Sequence, residues 1–557
     1  MALRFILAAS ALILHVIAAP PQAQAPLFPY AKAVGSRGPS LESARANAPH
    51  IFNALHSSMR QWGSSLNHNG MSLFPARIPN NTHLYHGTHI PNAVKGMEWL
   101  AFEIEHAEMF ARAFPGRRPG RRPGKPGDPE RPERPERPGE PGEGPPTPPF
   151  ELTWGETVDG IQSMDDDDDE PDFSRGYLHI YRTIRPLTNL VYIDGMSAGK
   201  TMMGTLDTQD YLLRNITDGD DSPAFNDFRR GQDLCDLGAK WGIEGFVRME
   251  MGFEIIFCEF SDGLILESAY ERPSGKNQSF ERMPQLEVLR GASMRYPGIT
   301  AQRLRLDYSG MVSAYWYDLN MTNPDPERAD LPRLPASDVE GLGNMKADFM
   351  ALFEESSSRS DVGNDWQGVT DMIITRYSDR LQLMAGNDTS RDTILSDIAV
   401  LLNLYIDYGN FDVPTAIEKC SAHYLIAAVP ESTADHMIHE ALLTVMNEIC
   451  STLFYVRHLI LVGEDETDRS ALEESKLALK SLIAYLDWTT SKECGKCGYD
   501  EICFVAIWPW GSMEDHKHPS CMKDEVLSRR QGYWDMWGLR PRPPPGNETG
   551  SAADGLW

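Results

Sequence analysis

Positive charge is scarce in this sequence. Its 52 lysines and arginines stand against 80 aspartates and glutamates, a formal net charge of -28. A polyanion repels phosphate backbones and anionic lipid head groups, so neither nucleic acid nor a membrane surface is expected as a partner. Long apolar runs are also missing beyond the first residues. Leu453 to Val462 is interrupted by Arg457 and His458, and the polar C-terminus with its lone Trp557 offers no tail for a lipid anchor. No G-x-S-x-G elbow occurs, so a serine hydrolase has no positive support.

What is present at the start points to export. Met1 to Arg4 carries one positive charge, Phe5 to Ile17 is apolar except for His15, and Ala18-Ala19 supplies small residues for cleavage. The run is shorter than the roughly 20 residues that span a bilayer, so residues 1–18 read as a signal peptide and the chain as secreted and extracellular. Eight cysteines, Cys235, Cys258, Cys420, Cys450, Cys494, Cys497, Cys503 and Cys521, are an even number suited to disulfides in an oxidising compartment. Asn80, Asn215, Asn277, Asn320, Asn387 and Asn547 each begin an N-x-S/T sequon, so N-glycans are expected on the mature protein.

The expected fold class is α+β. Residues 19–50, rich in Pro, Ala and Ser, read as a mobile leader, with order beginning near Ile51. Residues 51–335 read as a mixed α/β domain. His83–Thr88, Tyr177–Thr183, Leu190–Ile193 and Phe253–Phe260 have strand composition, while Glu98–Ala113 and Gln232–Trp241 have helical spacing. A disordered insertion, 115–170, interrupts this domain. Pro115 to Pro149 has no aliphatic residue to bury, and the acidic run Asp165 to Glu170 reads as a solvated loop rather than a calcium site.

Residues 336–490 read as a helical domain. In Trp366–Ala385, Val369, Met372, Ile373, Tyr377, Leu381 and Met384 share one face, and Ile394, Leu395, Ile398, Leu401, Leu402 and Tyr405 repeat the pattern. Pro414 opens a third helix, and Ser432–His458 and Asp468–Trp488 give two more, with Cys420 and Cys450 expected as a disulfide between neighbours. Residues 491–525 form a cysteine-rich segment and 526–557 a disordered proline-rich tail.

The stretches LYHGT…VKGMEWLAFEIEHAEMFAR, GYLHIYRTIRPLTNLVYIDGMSAGKTMMGTLDTQDYLL, WGIEGFVRMEMGFEIIFCEF and DWQGVTDMIITRYSDRL resemble a family of secreted proteins from filamentous fungi with no established activity. Within them, Tyr85-His86-Gly87-Thr88 resembles the opening motif of the ADP-ribosyltransferase fold. That resemblance implies that His86 and Thr88 hold a nicotinamide ribose and that Phe102 or Trp99 stacks on nicotinamide. It also implies that Glu254, at the head of an apolar strand, is catalytic with NAD as cofactor, Glu250 competing for the role. A carboxylate on the ribose 2′-hydroxyl stabilises the oxocarbenium charge that develops as nicotinamide leaves.

Other constellations have blander readings. Gly195 to Thr201, GMSAGKT, lacks the glycine spacing of a phosphate loop and reads as a tight turn. His436, His439 and Glu440 do not form HExxH and read as helix surface. The set Cys494, Cys497, Cys503, His516, His518 and Cys521 could hold zinc, but an exported chain oxidises its thiols, which favours disulfides. Three function classes stay open: a secreted protein without an assigned activity, an NAD-consuming enzyme of ADP-ribosyltransferase type, and a non-catalytic extracellular binding protein that uses the α/β cleft.

Overall fold

The computed structural model describes residues 38–111, 176–216, 227–272, 285–291, 298–299, 302–354, 363–462, 469–527 and 530–534. The signal peptide, the 115–170 insertion, Asn277 and Asn547 lie outside them.

Order begins earlier than the leader reading allows. Ser40 accepts a hydrogen bond from the Ser43 amide (3.1 Å) and so caps α1 (Leu41–Ala46). α2 (Ala48–Ser57) and α3 (Gln61–Leu66) follow. The small side chains of Ala44 and Ala48 are fully buried, so the Ala-rich composition that suggested mobility serves close helix packing instead.

The chain then builds one mixed sheet. Its strands are β1 (Asn69–Ile78), β2 (His83–Thr88), β3 (Glu98–Ala101), β4 (Tyr177–Thr183), β5 (Leu187–Gly195), β6 (Gly245–Met249), β7 (Phe253–Phe257), β8 (Leu264–Glu271), β9 (Arg305–Leu306) and β10 (Val312–Ser313). The spatial order is β10-β1-β5-β6-β7-β3-β2-β4-β8, with β9 beside β1. The residues between 111 and 176 therefore interrupt a single sheet, since β3 and β4 both belong to it. Among the described residues, β5 and β6 are the one parallel pair. Parallel neighbours need a crossover, and α5 (Asp227–Gly238) supplies it. The expected helix Glu98–Ala113 divides in two: residues 98–101 are strand β3, held between β2 and β7, and the helix is the short α4 (Ile104–Glu108).

After α6 (Gln285–Arg290) the chain is mainly helical: α7 (Val339–Glu354), α8 (Trp366–Ala385), α9 (Arg391–Leu402), α10 (Val413–Ala422), α11 (Thr433–Val462) and α12 (Arg469–Leu486). α11 is long and apolar enough to cross a membrane, the one such helix among the described residues. Here it is a core helix that buries Leu442, Val445, Met446, Ile449 and Leu453. The N-terminal α2 packs into this helical layer, where the Phe52 and Trp488 rings stack at 5.4 Å and Asn53 donates to the Leu486 carbonyl (3.1 Å). One apolar core runs from Ala44 through the sheet and the helices to Trp534.

Four disulfides join Cys235 to Cys258, Cys420 to Cys450, Cys494 to Cys503 and Cys497 to Cys521. The last two staple the hairpin of β11 (Ile502–Phe504) and β12 (Ser520–Met522), which frames α13 (Met513–Lys517) and precedes α14 (Asp524–Leu527). The start of the supposed tail is structured: Leu527, Tyr533 and Trp534 are buried.

Candidate functional site

Ligands of open α/β sheets collect beyond the carboxyl ends of parallel strands. At that end of β5 and β6 the chain buries a cluster of charges. Lys200 comes from the loop after β5, Arg248 from β6, Glu250 from the turn after β6, Glu254 from the head of β7, and Asp227 from the first turn of α5. Lys200 Nζ lies 2.6 Å from Glu250 Oε2 and 3.8 Å from Asp227 Oδ2. Arg248 bridges Asp227 (Nη2 to Oδ2, 2.8 Å) and Glu254 (Nε to Oε1, 3.0 Å), and donates to Gln209 (3.0 Å). Arg230 continues the network to Asp227 and Asp210, each at 3.0 Å.

His106, from α4, completes the centre. Donor atoms of His106, Glu250 and Glu254 all lie within 4.8 Å of one another, and each residue is at most 5% exposed. The buried His106 Nδ1 has no hydrogen-bond partner. Burial pushes the His106 ring down to about 4, against the pull of Glu254, so the imidazole is neutral at pH 7. Burial also raises the Glu250 carboxyl to about 7 despite Lys200, and neighbouring Glu103 to about 8. Burial alone would discharge Lys200, but Glu250, Asp227 and Glu254 hold its pKa above the usual value. A small cleft opens beside His106 and Glu250, lined also by Phe110, Trp508 and Trp510. The Trp508 ring stands 5.1 Å from Lys200 Nζ, a cation–π contact.

The structure gathers Glu254 and Glu250 and separates His86 from them. Tyr85 pairs with Ala101, and Ala101 with Glu254, so these three side chains share one face of the sheet. His86, next along β2, points to the other face. There its Nδ1 donates to the Trp99 carbonyl (2.6 Å), and its ring sits among His179, Tyr181 and Phe260. Thr88 Oγ1 accepts from the Ile90 amide, a local turn contact. Trp99 is half-buried, 6.0 Å from the Phe228 ring, and Phe102 is fully buried with Arg303 above its ring at 5.6 Å.

Sequence reasoning names Glu250 only as a rival and passes over His106, Lys200, Asp227 and Arg248. One signal points to the centre: a lysine inside a run of small and apolar residues. The GMSAGKT segment is the tight turn expected of it. Gly195 takes φ 69°, and the Ala198 and Gly199 amides are bonded to the Met249 and Met196 carbonyls, so they do not form a phosphate cradle. What the turn delivers is the ammonium group of Lys200.

The other constellations are occupied. Glu440 binds Arg45 (2.5 Å), His436 Nδ1 donates to the Ser432 carbonyl (2.8 Å), and the His439 ring packs near Trp366. Cys494, Cys497, Cys503 and Cys521 are all in disulfides, and His516 stacks on Tyr533 at 4.8 Å.

Residues 42–284 match the family described as the YPL277C N-terminal domain. That stretch contains the whole centre from His106 to Glu254. The chain is similar to the uncharacterized protein YOR389W of Saccharomyces cerevisiae, at 24% identity over 85% of this chain and 84% of that protein. It is also similar to the uncharacterized protein YPL277C of the same yeast, at 32% identity over 40% of this chain and 43% of that protein. These likenesses support a family of uncharacterised proteins. No solved structure matches.

Proposed function

We propose that this chain is a secreted glycoprotein enzyme whose chemistry is done at the centre of His106, Glu250 and Glu254. The observation that carries the reading is the burial of this imidazole and two carboxylates with Lys200 and Arg248, and with the partly buried Asp227 beside them, at the carboxyl ends of the parallel strands. Burying ions costs several kcal/mol each, and well-packed apolar groups of similar volume are often as stabilising or more so. Such a cluster is a liability to the fold unless it has work to do. Export is supported by the four disulfides and by the exposure of Asn80, Asn215, Asn320 and Asn387, which leaves these sequons open to glycan attachment.

The test uses the stability–function trade-off and needs no substrate. The double variant Lys200→Met with Glu250→Gln removes one buried ion pair and keeps its volume. For an active centre, the expected melting temperature equals or exceeds that of the wild type. A fall of several degrees would make the cluster structural and end this reading.

NAD⁺ is the substrate class to assay first. Glu254 stands near the head of its strand, as the catalytic glutamate of the ADP-ribosyltransferase fold does. Nicotinamide release by the wild-type glycoprotein, lost in Glu254→Gln, is the expected result. No turnover and no thermal shift with NAD⁺ would remove that substrate. A protein that bound NAD⁺ without turning it over would instead be a binding protein.

A further inference from the structure

Three donors from three different elements converge at one buried point. His106, Glu250 and Glu254 come from α4, the turn after β6 and the head of β7, and their donor atoms fall within 4.8 Å of one another. The His106 Nδ1 is buried and meets no hydrogen-bond partner, which leaves a ring nitrogen available to a ligand. We propose that this point is a divalent-cation site, held by one imidazole nitrogen and one oxygen from each of two carboxylates.

The ion pairs already present leave room for this. Lys200 engages Oε2 of Glu250, and Arg248 engages Oε1 of Glu254. The second oxygen of each carboxylate is the one a metal would take. Lys200 Nζ also lies 3.8 Å from Asp227 Oδ2, so its ammonium keeps a counter-ion if Glu250 turns toward a metal. The adjoining cleft encloses about 10 Å³, roughly the space of one water or one bare ion. It is the natural fourth position for a metal with three protein ligands.

The donor set selects the ion. An imidazole and two carboxylates, with no thiolate, suit Zn²⁺ or Mn²⁺ better than the all-oxygen preference of Ca²⁺. The eight cysteines are in disulfides and do not compete. Bound at this point, the metal would deepen the enzymatic reading, to which the inference is tied by location only.

The test is binding, measured apart from turnover. Chelator-treated glycoprotein would be titrated calorimetrically with ZnCl₂ and with MnCl₂, and by visible absorption with Co²⁺. The expected result is one ion per chain, a raised melting temperature in its presence, and a Co²⁺ spectrum with imidazole character. His106→Ala and Glu250→Gln should each weaken the affinity at least about tenfold, as loss of a metal-holding residue does. Near-UV circular dichroism would verify the fold of each variant, and the Co²⁺ spectrum of the wild type decides the matter if one fails to fold. Absence of binding by the wild type, or binding unchanged in both variants, overturns the proposal. Either result leaves the Lys200→Met, Glu250→Gln stability test of the enzymatic reading standing.

Discussion

Burial holds His86 as a neutral ring. Desolvation pushes its pKa down to about 3, and the Trp99 carbonyl only partly opposes this. In the unfolded chain the same ring titrates near 6.5. Between those values the unfolded state binds a proton that the folded state refuses, so this histidine costs stability as pH falls below about 6.5. The cost approaches about 1.4 kcal/mol for each further pH unit. His86→Gln offers an amide donor to the Trp99 carbonyl and cannot titrate. Urea unfolding at pH 7, 5.5 and 4.5 should therefore show the wild type losing ground to the variant step by step. A difference that is the same at all three pH values would show that the ring titrates in the folded protein as it does in the unfolded chain. The residue also shows what a motif leaves out. Tyr-His-Gly-Thr specifies a strand end, but the face on which the histidine emerges depends on register with β3 and β7, and register is a tertiary fact. Glu254 is legible because it heads an apolar run. Lys200 and His106 are not, because their burial is decided by strands distant in sequence.

Elements with long periodic faces are the easiest to read. Trp366–Ala385 is a helix with the expected bounds, its first turn capped by Asp365, which accepts from the Gly368 amide at 2.9 Å. β3 escapes a sequence reading because four residues carry no usable period, and the helical spacing of residues 102–113 absorbs them. Among the disulfides, Cys420–Cys450 is the one expected from helix adjacency, and it ties α10 to α11 with both cysteines fully buried. α10 has only ten residues and begins after an exposed loop in which Leu404 and Tyr408 face solvent. Isolated helices of that length are marginal, so the cross-link and the packing on α11 hold it in place. The double variant Cys420→Ala with Cys450→Ala should lose about 2–4 kcal/mol, the usual worth of a disulfide closing a loop of this size. Hydrogen exchange should locate the added opening in residues 413–422. Uniform loss of protection along α11 would instead mean that the bridge stabilises the helical layer as a whole.

Strand and helix periodicities are segregated along this chain, and that segregation is what suggests an α/β domain ending near residue 335 and a separate helical one. Periodicity reports which face of an element is apolar, but not which element covers it. In the folded protein the covering crosses the supposed boundary. α2, from before the first strand, packs on α11 and α12. Ser58 hydrogen-bonds Tyr308 at 2.9 Å, and Asp435 of α11 accepts from Ser309 (2.9 Å) and from the Trp366 indole (2.7 Å). Of these contacts the Ser309–Asp435 bond crosses residue 335, and the Trp366 bond to the same carboxylate ties it on to α8. Removing the helices would expose the face of α2 that packs on α11, so the sheet half does not have a complete core of its own. Calorimetric unfolding should accordingly show a single endotherm, with far-UV and near-UV dichroism falling together. Two resolved transitions, one tracking helix and the other sheet, would show that the halves fold as separate units. Trp366→Ala sharpens the comparison, because it opens a cavity worth about 3–5 kcal/mol where α8 meets α11. In a shared core that loss lowers the one transition for sheet and helix alike; in independent domains it would leave the melting of the sheet where it was.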